Sequence, residues 1–399
     1  MKILLLNTLY PPTSVGGAER SLEVLARGLA ARGHETAVIC LSEGEDSTEN
    51  RDGVEVHRLA HGNVYWPFDG ARHSPLARLQ WHARDAGEFA GHGKIATLLE
   101  KLRPDVVHTN NLVGFGSNTI PLIKKRGLPI VHTLRDFGLI CSRSTVFKDL
   151  QDCETRCSSC RLLTGRKAAA ARGVDLVVGN SAFMVDRHRD FGLFQSTQSK
   201  VIYNAVPGIL ENRGAASATD GPLHLGYAGA LKPEKGVEIM LDALRRLGPD
   251  GWKLTVAGTG DQEYVAGLKA SYADLPVEWL GFVPIRPFLE SIDLMIIPSI
   301  WPEPMPRTLI EAMAHRLPVL VSDAGGSPEV AAMYDGARIY PSRDVDTLAE
   351  LLADAVASAP PTPSVDSSVL ETFSVERLTQ NYIAAYEEAI ALNRRKTAA

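Results

Sequence analysis

Two carboxylates with seven residues between them, Glu303 and Glu311, have a strong claim to chemistry in this chain. They lie in Pro298-Ser299-Ile300-Trp301-Pro302-Glu303-Pro304-Met305-Pro306-Arg307-Thr308-Leu309-Ile310-Glu311-Ala312-Met313-Ala314. An apolar run ends at Pro298, a proline-rich loop follows, and the pattern predicts a helix beginning near Pro306, since proline suits a first helical position. The start of a helix offers free N–H groups and a partial positive charge, which suits a diphosphate. Arg307 and Thr308 sit where they could add donors. Glu303 precedes the helix and Glu311 lies inside it, so both can reach one crevice at different depths. The plain alternative for Glu311 is a carboxylate on a helix face.

Cysteines form the next cluster. Cys141, Cys153, Cys157 and Cys160 are separated by eleven, three and two residues. Four thiolates so spaced can close a tetrahedral zinc site of a structural kind, or hold an iron–sulfur cluster. Otherwise they are free thiols in a loop rich in serine. Cys40 ends an apolar run and reads as core. A third unusual stretch, Ala60 to Gly93, combines Tyr65, Trp66, Phe68 and Trp81 with Arg72, Arg78 and Arg84. Aromatics among basic residues suit a sugar, a lipid-linked acceptor or a membrane interface. The plainer expectation is a helix packing Leu76, Leu79 and Trp81 on the body. Its histidines match no metal-binding spacing.

These residues need a scaffold, and the chain alternates strand with helix. Ile3–Asn7 is an apolar run, then a helix is predicted over about Gly17–Arg32 from Leu22, Leu25 and Leu29, with Gly33 closing it. Runs rich in valine and isoleucine recur to Val201–Asn204, and a second series starts near His224. Strands apolar on both faces suit parallel sheets covered by helices on each side, so the fold class is α/β with two doubly wound domains. Glu211–Pro222 is small, polar and aperiodic, as a linker should be. The Ala359–Ser364 segment stops one helix, and a last helix is predicted over about Val375–Arg394.

Composition agrees. Of 399 residues 45% are hydrophobic and 22% charged, ordinary for globular domains and excluding disorder or coiled coil. The net charge of −5 argues against a nucleic-acid binder. Residues to about 205 are mildly basic and the rest acidic, a split that could turn one half to phosphates or to an anionic membrane surface. No apolar run reaches 18 residues, and the first apolar run meets Asn7 too soon for a signal peptide. The expected location is the cytoplasm, with the inner face of the membrane as a further expectation.

The carboxylate segment, followed by Pro318-Val319-Leu320-Val321-Ser322-Asp323-Ala324-Gly325-Gly326, resembles the signature of glycosyltransferase family 4. These are retaining enzymes of the GT-B fold that use nucleotide sugars. Pro11-Pro12 with Gly16-Gly17-Ala18-Glu19 resembles the family's N-terminal glycine loop, and Asn204-Ala205-Val206 its domain junction. Gly229-Ala230-Leu231-Lys232-Pro233-Glu234-Lys235-Gly236 resembles its lysine segment, and Thr372-Phe373-Ser374 the opening of its crossing helix.

The resemblance implies two Rossmann-like domains facing a cleft. Residues 1–205 would bind acceptor, 206–374 would bind the donor, and the helix from about 375 to 399 would return to the first domain. It implies a UDP- or GDP-sugar donor and a saccharide or lipid-linked saccharide acceptor, with peripheral membrane contact, as in cell-surface polysaccharide assembly. Glu311 would bind ribose, Glu303 the donor sugar, Lys235 the diphosphate, and Gly16 and Gly17 would let the backbone approach the sugar and phosphate. The acceptor is thought to attack from the leaving-group face, so neither a side-chain nucleophile nor a catalytic cofactor is required, and any zinc is structural.

Two positions depart from the family. Ala230 stands where the family often has arginine, which leaves Lys232 or Arg307 to supply the charge. Thr133-Leu134-Arg135-Asp136 stands where it commonly has Thr-Leu-His-Asp. Arginine stays protonated and cannot be a general base. Arg135 could hold an anionic acceptor, help the leaving phosphate, or pair with Asp136 on the acceptor side. The departures leave two rival readings, a sugar-nucleotide epimerase and a non-catalytic nucleotide-sugar binder.

Overall fold

The computed structural model describes residues 1–13, 16–87, 91–210 and 221–398. Most of the Glu211–Pro222 segment lies outside the described residues. Two compact units are present, one of Met1–Val146, Cys153–Ala205 and Val375–Ala399, the other of Phe147–Asp152 and Val206–Ser374.

The first unit is built on an eight-stranded sheet. Its spatial order is Gln198–Val201, Leu176–Gly179, Ile130–Leu134, Val106–Thr109, Lys2–Leu6, Glu35–Ser42, Val54–Ala60 and Ser47–Arg51. All pairs are parallel except the last, in which polar Ser47–Arg51 lies antiparallel along the edge. The central strands are buried along their length, as helices on both faces require. The helix Gly17–Ala31 turns Leu22, Leu25 and Leu29 into the core, each fully buried.

The final helix, Val375–Ala398, belongs to this unit. Leu378, Tyr382, Ala385, Tyr386 and Ala389 are buried against the sheet's core. Its polar anchors are buried too. Tyr386 Oη lies 2.8 Å from His108 Nδ1, Thr133 Oγ1 lies 2.7 Å from His108 Nε2, and Tyr382 Oη is 2.9 Å from the same threonine. A buried polar network with each member paired fixes one docking register, because any slip would strand a polar group.

The second unit has six parallel strands in the order Val277–Gly281, Trp252–Ala257, Leu223–Ala228, Leu294–Ile297, Val319–Ser322 and Ala337–Tyr340. In both sheets the strand order reverses in the middle, beside Lys2–Leu6 in one and beside Leu223–Ala228 in the other. Loops leaving the carboxyl ends of strands at such a reversal diverge and open a crevice for ligand. Among the described residues, no helix is long and apolar enough to cross a membrane.

The segment Ala60–Gly93 does form a helix, Pro75–Asp85, started by Pro75 and capped by the Ser74 hydroxyl. Trp81 is buried and donates through Nε1 to the Tyr65 carbonyl at 3.2 Å. Leu76 and Leu79 do not pack on the body: they are 65% and 59% exposed.

Candidate functional site

In the second unit the reversal falls between Leu223–Ala228 and Leu294–Ile297. The loop Gly229–Gly236 leaves the first strand and Pro298–Pro306 leaves the second, so Lys235 and Glu303 meet. Lys235 Nζ donates to Glu303 Oε1 at 2.7 Å, and the Ser299 hydroxyl donates to the same oxygen. The lysine also lies over the Trp301 ring, 5.4 Å from its centroid. Glu303 is buried. Burial opposes its ionisation, but the Lys235 ammonium and the hydrogen bond from Ser299 outweigh that and hold its carboxyl below the usual range.

The two loops are locked to each other through backbone. Ile300 N–H donates to the Glu234 carbonyl at 3.0 Å, and Gly326 N–H donates to the Glu303 carbonyl at 2.8 Å. Gly236 has φ +69°, and a Cβ there would run into the Pro298 carbonyl. That position therefore needs glycine both for its left-handed backbone and for the close approach.

The helix Arg307–Ala314 follows, with Pro306 at its cap rather than at its first position as the sequence suggested. The main-chain N–H groups of its first turn have no partners within the helix. Glu311 is buried inside this helix, and its Oε1 accepts from Arg307 Nε at 2.9 Å. Thr308 is half-buried, and Lys232 is exposed at the head of the short turn Pro233–Lys235. Of the two cations that could replace the arginine absent at Ala230, Arg307 is thus engaged with Glu311.

In the first unit, the glycine loop after Lys2–Leu6 is described apart from residues 14 and 15. Gly16 caps the helix Gly17–Ala31, and its N–H donates to Glu19 Oε2 at 2.9 Å. A Cβ on Gly17 would meet nothing within 4 Å, so nothing among the described residues demands glycine there. Arg135 and Asn110 leave the carboxyl ends of the neighbouring strands Ile130–Leu134 and Val106–Thr109. Arg135 Nε donates to Asn110 Oδ1 at 2.9 Å and Nη1 donates to Asn204 Oδ1. Asp136 does not take the guanidinium. Its carboxylate accepts from Asn111 Nδ2 at 2.7 Å and Gly138 N–H at 2.6 Å, and burial pushes its pKa up. Asn110 and Ser299 were missed by sequence reasoning; their signal was a polar residue just past a buried parallel strand.

Cys157 and Cys160 are in side-chain contact, and Cys141 is near enough to act on Cys160. The short hairpin Phe147–Lys148 with Gln151–Asp152 intervenes between Cys141 and Cys153. Cys157 is exposed at the cap of the helix Ser158–Ala171, while Cys141 and Cys160 are buried. Among the described residues, no three histidine, cysteine, aspartate or glutamate side chains are gathered to hold a metal ion.

Comparison with known proteins accords with this geometry. The profile of Glycosyltransferase Family 4 matches residues 15–207, and that of glycosyl transferases group 1 matches 209–363. An uncharacterized 42.6 kDa protein in the cps region of Klebsiella pneumoniae is 31% identical over 390 residues, covering 97% of this chain and all of its own. The amylovoran biosynthesis glycosyltransferase AmsK of Erwinia amylovora is 32% identical over 145 residues, 33% of this chain and 35% of that one. The Anabaena protein HepE, solved with UDP-glucose, superposes with a TM-score of 0.66 at 20% identity, over 97% of this chain and 99% of its own. With matching profiles across both halves and a relative alike over its full length, the chain belongs to glycosyltransferase family 4 and is a glycosyltransferase of the GT-B fold.

Proposed function

We propose that this enzyme transfers a sugar, with retention of anomeric configuration, from a nucleotide-diphosphate donor held by the second unit. The acceptor is a saccharide or lipid-linked saccharide held by the first unit, and the product enters a cell-surface polysaccharide. The observation that carries this reading is the Lys235–Glu303 pair at the strand-order reversal of the second sheet. An ammonium has three N–H donors. One is used on Glu303, which aims the other two at a diphosphate without removing the positive charge. As the glycosidic bond to the donor phosphate breaks, negative charge builds on the leaving group. Lys235 and the free N–H groups at the start of Arg307–Ala314 stabilise it there. Glu303 holds donor hydroxyls and Glu311 holds the ribose, since each carboxylate has oxygens beyond the one engaged by Lys235 or Arg307.

HepE with UDP-glucose supports a uridine donor, with GDP-sugars next, and AmsK supports the polysaccharide product. Exposed Leu76 and Leu79 beside Arg72, Arg78 and Arg84 support contact with the inner face of a membrane, where a lipid-linked acceptor would lie.

The test is a thermal-shift panel of UDP-, GDP-, ADP- and dTDP-sugars on the wild type and Glu311→Ala. One base should raise the melting temperature of the wild type and not of the variant. A shift that survives in Glu311→Ala would remove this glutamate from the donor site, and no shift with any donor would sink the donor reading itself.

A further inference from the structure

Arg135 is only 7% exposed, yet among the described residues its guanidinium is bonded to neutral amide oxygens alone, those of Asn110 and Asn204. The carboxylate next to it in sequence, Asp136, is turned to Asn111 and Gly138. Lys167, the other cation at this place, is already paired with the buried carboxylate of Asp85. Among the described residues the Arg135 charge is therefore buried without a hydrogen-bonded counter-ion, an arrangement that is strongly unfavourable unless something supplies the missing negative charge.

Two donors point to what is missing. Arg135 Nη2 and Asn110 Nδ2 are both buried, and among the described residues neither has a hydrogen-bond partner. Buried donors are nearly always paired in native proteins, so two orphans on residues bonded to each other call for an explanation. Both residues line one recess, together with Asn111, Asp136 and Lys167. It holds about 20 Å³ of free space, room for one oxygen-sized group. A water would satisfy the two donors but would leave the charge uncompensated.

We propose that Arg135 and Asn110 form an oxyanion-recognition pair that selects a substrate bearing a carboxylate or a phosphate over its neutral counterpart. The proposal rests on the reading of the first unit as the acceptor side. One anionic oxygen enters the recess and accepts from Nη2 of Arg135 and Nδ2 of Asn110, which discharges both orphans and gives the guanidinium its counter-ion. Charge-assisted bonds of this kind are about twice as strong as neutral ones. A neutral hydroxyl in the same place could accept the hydrogen bonds but not balance the charge, so discrimination of roughly ten- to hundredfold is expected.

The experiment measures calorimetric binding of glucuronate, glucose 6-phosphate and glucose to the full chain, as wild type, Arg135→Gln and Arg135→Lys. The wild type should bind one anion roughly ten- to hundredfold more tightly than glucose. Glucuronate ahead identifies a carboxylate, and glucose 6-phosphate ahead identifies a phosphate. Arg135→Gln should lose the preference, and Arg135→Lys should keep part of it. Equal affinities for the three sugars, or no binding of either anion, overturns the proposal. Melting of the ligand-free variants separates a structural role: Arg135→Gln should melt at or above the wild type, since it removes an uncompensated buried charge. A melt several degrees lower would make the guanidinium a tie between Asn110 and Asn204 and overturn the proposal as well. Donor binding is read on the wild type with the nucleotide-sugar panel, so the two failures are distinguishable.

Discussion

Lys235 Nζ stands 2.7 Å from Glu303 Oε1, although 68 positions of chain separate the two residues. The pair is mostly buried, with the side chains 25% and 12% exposed. Each partner is there because a loop at the end of a different parallel strand brings it, and each depends on the other for its charge. The expectation is that Lys235→Met destabilises the protein by about 3 kcal/mol, because it leaves a buried carboxylate unpaired. The double variant Lys235→Met/Glu303→Gln should recover most of that stability while remaining inactive. Urea unfolding of the two variants, with transfer assays alongside, checks this. A double variant no more stable than the single one would show that the pair is not what holds these loops.

Acid should unfold the protein through its buried histidines. Burial holds His188 near 4 and His132 near 3, and burial together with the nearby Arg135 charge holds His108 well below the ordinary value. Below about pH 6.5 the unfolded chain takes up protons at these three positions and the folded chain does not. Stability therefore falls as pH drops from about 6.5 towards 4, with a slope of up to about 4 kcal/mol per pH unit. Glu303 acts with the same sign at lower pH: its depressed carboxyl contributes stability that is lost as pH falls through its folded value.

His188 offers the cleanest test of that slope. It stacks on Phe137 with ring centroids 5.8 Å apart, and its Nε2 is buried without a hydrogen-bond partner among the described residues. His188→Phe keeps an aromatic ring there and removes one titrating group. Denaturant melts at pH 7, 5.5 and 4.5 should show a slope shallower by about one proton, roughly 1.4 kcal/mol per pH unit. An unchanged slope would mean that another group governs acid unfolding.

Gly28 faces the final helix where no side chain fits. A Cβ there would overlap the Thr379 hydroxyl, which itself donates to the Val375 carbonyl at 2.7 Å. In an open helix, alanine for glycine gains about 1 kcal/mol. Here Gly28→Ala should instead lose about 1–3 kcal/mol from overpacking. Adding Thr379→Ala should reverse the sign. Unfolding free energies of the single and double variants decide it, and stabilisation by Gly28→Ala alone would contradict the packing described.

Leu76 and Leu79 carry the membrane prediction. Their exposure on a helix that carries Arg78 and Arg84, with Arg72 just before it, should give binding to vesicles containing anionic lipid and little to neutral ones. Leu76→Ser/Leu79→Ser should reduce co-flotation severalfold without lowering the melting temperature, since neither side chain packs on the body. Equal flotation of the wild type with both lipid types would remove the electrostatic part of the argument.

Some of this molecule was legible from sequence because it is local. The helix Gly17–Ala31 shows Leu22, Leu25 and Leu29 at the helical period, and those residues are buried. The strand, proline loop and helix that carry Glu303 and Glu311 could be read in order, because turn chemistry and apolar runs are decided within a few residues. Edge elements were not: Ser47–Arg51 is polar throughout and is a strand only because Val54–Ala60 offers it hydrogen bonds. Periodicity also misjudged Leu76 and Leu79, since a period says which residues share a face but not whether anything covers it.

Only the tertiary structure decided the partners. That Lys235 meets Glu303 follows from strand order, which sets which loops adjoin and leaves no trace in local pattern. That Arg135 is held by Asn110 and Asn204, 25 and 69 residues away, and not by Asp136 beside it, follows from the carboxyl ends of parallel strands lying along one side of the sheet. The sequence by itself determined which residue types were available for chemistry. The long-range packing determined which charges are paired and which, like Arg135, are bonded to neutral groups among the described residues.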